Sequence, residues 1–185
     1  MHWMRNKNGF TLLELILVIV VLAVGLTGTL IAFTQGTQNS AYSQNMAVAT
    51  VLAQDLMEEI RSKCWDETAV AAAPALPCSG PVAPSLPPLG PDGETRATYD
   101  DVDDFNALSI APNTPPRNSQ GAAMATYNIF TQKAEVCYVD PNAGVNGLNI
   151  CLAGAATSNY KKIVVTISWG VQNDQVQLTT VATNH

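Results

Sequence analysis

The sequence predicts an α+β protein: one long N-terminal α-helix followed by a C-terminal antiparallel β-sheet head. Three observations carry this. An apolar run extends from Phe10 to Phe33 with Glu14 as its sole charge. Residues 34–63 contain no proline and carry apolar residues at helical spacing. Segments rich in Thr, Ile, Val and Tyr are concentrated after residue 124.

Residues 10–33 form the first half of the helix. At the standard rise they reach roughly 36 Å, enough to cross a hydrocarbon core of about 30 Å with some tilt. Arg5 and Lys7 precede the run and no cation occurs within it. That asymmetry predicts a cytoplasmic N-terminus and an exported remainder. The run is longer than the core of a secretory signal, and its small residue, Gly9, lies before it. Cleavage after Gly9 would therefore leave the apolar helix in the mature chain. Glu14 is costly in hydrocarbon, so it is expected to have a partner and a function. Gly25 and Gly28 weaken the helix by about 1 kcal/mol each relative to Ala. They read either as a place to bend or as a place for close helix packing.

Residues 34–63 form the second, amphipathic half. Tyr42, Met46, Ala49, Ala53, Leu56 and Ile60 recur at steps of four and three, which places them on one face. One helix from about Thr11 to about Arg61 is expected, roughly 75 Å long. Arg61 and Lys63 complement the dipole at its end.

The head spans residues 64–185. Within it, residues 69–91 hold most of the chain's 11 prolines and read as a long surface loop. A second irregular stretch runs from Pro112 to Gly121. Strands are expected over Ala125–Val139, Tyr160–Trp169 and Asp174–Ala182, the last two joined by a turn near Gly170. Ile163, Val165 and Ile167 would share one face, in a sheet of three or four strands packed on the amphipathic half-helix.

Four cysteines, Cys64, Cys78, Cys137 and Cys151, all follow the apolar run. In an exported head they read as disulfides. Three pairings are open. Equal spacing favours Cys64–Cys78 and Cys137–Cys151, each closing a loop of about 15 residues worth roughly 3 kcal/mol. The alternative is a four-thiolate zinc site, which the absence of any C-x-x-C disfavours.

The formal charge of −6 argues against a nucleic-acid footprint over the whole head. His2 and His185 are the only histidines, so a histidine-based catalytic triad is not expected. No phosphate-binding glycine loop occurs. Trp65 and Trp169 read as core or subunit-contact residues.

The hexapeptide Gly9-Phe10-Thr11-Leu12-Leu13-Glu14, between a basic leader and an apolar helix, resembles the processing site of type IV prepilins and type II secretion pseudopilins. The resemblance implies a leader over residues 1–9, cleavage at Gly9–Phe10 by a prepilin peptidase, and N-methylation of Phe10. It also implies that the helix packs with other pilin subunits in a filament core, after delivery through an inner-membrane assembly platform. Glu14 would then meet the new amino group of Phe10, within or between subunits. Arg96-Ala97-Thr98-Tyr99-Asp100-Asp101-Val102-Asp103-Asp104-Phe105 and the C-terminal hairpin with Thr179 and Thr180 are similar to minor pilins of the mannose-sensitive haemagglutinin type, particularly the D subunit, and to V-type minor pilins.

Asp100, Asp101, Asp103 and Asp104 invite a calcium site, since hard cations favour clustered carboxylates. The spacing does not fit an EF-hand, and the competing reading is an acidic surface loop with Tyr99, Val102 and Phe105 tucked inward. The expected role is structural: a non-enzymatic minor pilin that initiates, primes or caps a filament and needs no cofactor. Alternatives are a minor pseudopilin, a tip-exposed adhesin or DNA-uptake module, and a membrane-anchored enzyme.

Overall fold

A computed structural model describes residues 9–67, 70, 78, 89–111, 114–144, 147–153, 156–170 and 174–184. The chain divides into two compact units, Met1–Gln44 and Asn45–His185. Helix α1, Leu12–Arg61, contributes to both.

The helix begins where Thr11 caps it. Thr11 Oγ1 accepts the Glu14 N–H at 3.3 Å, and its carbonyl accepts the Leu15 N–H at 3.1 Å. Hydroxyl side chains along the apolar half bond inward to the preceding turn. Thr27 donates to the Val24 carbonyl at 2.9 Å and Thr29 to the Leu26 carbonyl at 3.0 Å. These polar groups are thus satisfied by the helix itself. At the other end Arg61 stands in the last turn, and the Ser62 N–H is shared between the Glu58 and Glu59 carbonyls.

In the first unit every described residue is exposed, so the helix there carries apolar side chains all round with no cover from its own chain. In the second unit one face is buried: Ala49, Leu52, Ala53, Leu56, Met57 and Ile60. The expected stripe is corrected at its start, because Tyr42 and Met46 are each 47% exposed. Their helical phase is right, but the head's core begins only at Val48 and Ala49.

The sheet is a four-stranded antiparallel meander, β1-β2-β3-β4. Its strands are β1 Leu108–Ile110, β2 Phe130–Tyr138, β3 Tyr160–Trp169 and β4 Asp174–Thr183. Strict alternation along β2 and β3 sets the register: Val136 lies opposite Ile163, and Ala134 opposite Val165. Ile163, Val165 and Ile167 share the buried face and join the helix residues and Phe105 in one cluster. The strand expected from Ala125 starts five residues later, because Ala125–Tyr127 makes a 3₁₀ turn first. A second 3₁₀ turn, Asp103–Phe105, leads into β1. Of the proline-rich loop 69–91, only residues 70, 78 and 89–91 are among the described residues; Pro112 and the turn residues 171–173 also lie outside them.

Candidate functional site

Two sets of residues deserve chemical reading, one in each unit. The first is the stretch Gly9–Glu14. Gly9 and Phe10 precede the helix and are exposed, Phe10 at 79%. A processing enzyme therefore meets no secondary structure at that bond. Glu14 sits in the first helical turn, where its charge complements the positive end of the helix dipole. Thr11 and Glu14 stand at the N-cap and N3 spacing of a capping box. The hexapeptide resemblance gives Thr11 no role, although the T-x-x-E pattern in front of an apolar run marks it as a cap. At Gly25 and Gly28 an added Cβ would meet nothing within 4 Å. Nothing in the chain itself therefore requires glycine there.

The second set is the acidic motif in the head, and it is not an exposed loop. Asp101, Asp103 and Asp104 are buried. Asp101 Oδ1 accepts the N–H groups of Asp103 at 2.8 Å and Asp104 at 3.1 Å. Asp104 Oδ2 accepts those of Asp100 at 2.9 Å and Asp101 at 3.0 Å. The carboxylates thus fold the motif by capping its own backbone. The Asp101 strand segment also docks beside Cys64: the Cys64 N–H donates to the Asp100 carbonyl and the Val102 N–H to the Cys64 carbonyl. Tyr99 and Phe105 meet edge to face at 5.1 Å. Arg96 lies over the Phe105 ring at 5.0 Å and grips Glu59 of α1 through both guanidinium nitrogens at 2.5 Å. This bidentate pair ties the motif to the helix.

Asp103 turns inward and pairs at 2.5 Å with Lys161, which rises from the buried face of β3. Asp66 is the second carboxylate on Lys161, at 3.3 Å. Burial pushes the Asp101 carboxyl up to about 8, helped by the neighbouring Asp103 and Asp104 charges. Burial likewise raises Asp103, against the opposing pull of Lys161. Asp101 and Asp103 therefore spend their carboxylates on backbone N–H groups and on Lys161. Among the described residues, the carboxylate oxygens that converge, within 4.8 Å, belong to Glu94, Asp100 and Asp104.

The sulfurs are joined as Cys64–Cys78 and Cys137–Cys151, with Cα separations of 4.5 and 5.5 Å. The first ties Cys78 to the residues just after α1; the second ties Cys151 to β2. Trp65 and Trp169 are both buried. Beside α1, a groove of about 600 Å³ is lined by Asp55, Glu58, Glu59, Arg117 and Met124, among others, and carries no aromatic side chain.

Residues 4–30 match the model of the prokaryotic N-terminal methylation motif. No curated protein and no solved structure matches the chain. The matched motif, the long N-terminal helix and the antiparallel sheet together support a type IV pilin-like or pseudopilin-like subunit. The motif implies processing by a prepilin peptidase and assembly with other pilins in a membrane system. The apolar helix, long enough to cross a bilayer, is compatible with membrane anchorage.

Proposed function

We propose that the protein is a minor type IV pilin, of the mannose-sensitive haemagglutinin D or V kind, that initiates, primes or caps a pilus. The observation that carries this reading is the Gly9–Glu14 motif ahead of a helix half with no cover of its own. An apolar rod of this kind needs either lipid or other rods around it. In this reading the precursor waits in the bacterial inner membrane, N-terminus in the cytoplasm and head exported. Prepilin peptidase cuts after Gly9 and Phe10 is N-methylated. The assembly platform then moves the helix from lipid into a filament core, leaving the head at the cell surface or in the periplasm.

Glu14 sets the register in that transfer. Once Gly9 is removed, the Phe10 amino group is a cation four residues away. Pairing the two in a low-dielectric core offsets the desolvation of both, whereas a misregistered subunit leaves each unpaired. The role is structural, without catalysis or a cofactor.

Mass spectrometry of membrane-extracted protein tests the reading. An N-terminus at Phe10 bearing a methyl group is the expected result; an intact Gly9–Phe10 bond in cells with an active prepilin peptidase would refute it. Glu14→Ala should insert in the membrane to the wild-type level yet fall at least about tenfold in filament incorporation, the scale of a 1.4 kcal/mol loss. Immunoblots of sheared filaments against membranes read this out. Co-purification with secretion-pseudopilus subunits instead of pilus subunits would move the assignment to a minor pseudopilin.

A further inference from the structure

Lys161 is buried with no exposed surface, and its surroundings are unusual for a lysine. Its Nζ donates to Asp103 Oδ1 at 2.5 Å, to the Trp65 carbonyl at 2.6 Å and to Asp66 Oδ2 at 3.3 Å. The rings of Trp65 and Tyr138 lie 4.7 and 5.4 Å from it and close the site against water. Asp66 is as buried as the lysine, and Asp103 nearly so. Asp101, folded back on the Asp103 backbone, adds a third acid. Two buried carboxylates thus share one ammonium, with a third acid behind Asp103, and buried charges in excess of their partners are costly.

We propose that Lys161 and Asp103 condense to an intramolecular isopeptide bond, with Asp66 and Asp101 moving the protons. The geometry supplies each part. The Asp103 carboxyl carbon is bonded to an oxygen 2.5 Å from Nζ, and attack on that carbon needs a separation of about 3–3.5 Å. The Lys161 ammonium passes one proton to Asp66 and becomes a nucleophilic amine. Asp101, held beside Asp103 by accepting its N–H at 2.8 Å and a carboxylic acid up to about pH 8 because of its burial and its acidic neighbours, protonates the Asp103 carboxyl. The amine attacks the Asp103 carbon and the C–N bond forms. The nitrogen returns a proton to Asp101, the C–O bond breaks, and the hydroxyl leaves as water with the proton held by Asp66. Ammonium plus carboxylate become amide plus water, and both shuttles end as they began. Two desolvated charges vanish in the step, which favours it in a site that excludes water. The bond would join β3 to the acidic motif across 58 residues of sequence.

Intact-mass measurement of the full chain, detergent-extracted, denatured, reduced and alkylated, tests this. The expected mass, after N-terminal processing is assigned, is one water below that of the sequence. Trypsin should fail to cut after Lys161, and the digest should hold a branched species joining the Asp103 and Lys161 peptides. Lys161→Met and Asp103→Ala should each restore the full mass. Asp101→Asn keeps an oxygen for the two N–H groups but cannot give up a proton, so its linked fraction should drop to a minor share. A wild-type chain at full mass overturns the proposal, as does a water loss that maps to a succinimide at Asp92–Gly93. Undiminished linkage in Asp101→Asn overturns the assignment of the acid.

Discussion

At Ala107 the backbone adopts φ 61°, the left-handed region that an L side chain enters at a cost of about 1–2 kcal/mol. The neighbour explains why the chain tolerates it. Asn106 donates to the Leu89 carbonyl at 3.0 Å and accepts the Val136 N–H at 3.1 Å, locking the reversal from the 3₁₀ turn into β1. Ala107→Gly should therefore raise stability, by up to about 1 kcal/mol after the entropic cost of glycine, seen as a higher denaturant midpoint. Asp101 makes a second residue-scale prediction. In the chain not linked through Lys161, its folded carboxyl titrates near 8 while an unfolded one titrates near about 4. Between those values the native state holds a proton that the unfolded state has released, so stability falls as pH rises. The melting temperature should drop from pH 5 to pH 8, and Asp101→Asn should flatten that slope. A profile rising over this range would contradict the buried, protonated carboxyl.

The elements differ in how plainly the sequence announced them, for physical reasons. The helix and the paired strands β3 and β4 carry long periodic patterns, and the expected bounds of β3 match the structure. β1 has three residues, too few to show an alternation. The stripe through Tyr42 and Met46 was legible as a phase, yet phase alone does not say where the covering sheet stops. From sequence the acidic motif reads as a calcium site or a surface loop, because four aspartates in five residues look solvated. Its burial depends on Lys161, 58 residues away, and on Asp66, 95 residues from that lysine. Nothing local in Tyr160-Lys161-Lys162-Ile163 tells which lysine faces inward. At this scale Leu56 is the joint between helix and sheet, only 2% exposed. Leu56→Ala should cost about 2–5 kcal/mol, measured by thermal or denaturant unfolding of the head.

For the whole molecule, the buried cluster draws on nothing before Val48. A chain beginning at Thr34 should thus stay in solution without detergent and melt at the temperature of the detergent-held full chain. The full chain freed of detergent should sediment as aggregates, and analytical ultracentrifugation separates the two outcomes. Coaggregation of the truncated chain would mean that the head lacks a core of its own. The two units also distribute their chemistry in opposite senses. One places its grease outside with a single carboxylate near its tip; the other hides charge at its centre, around Lys161. Each would be at ease only in the medium that harms the other. A molecule so divided has no comfortable home in the bulk of either phase, and its resting place is a boundary between them.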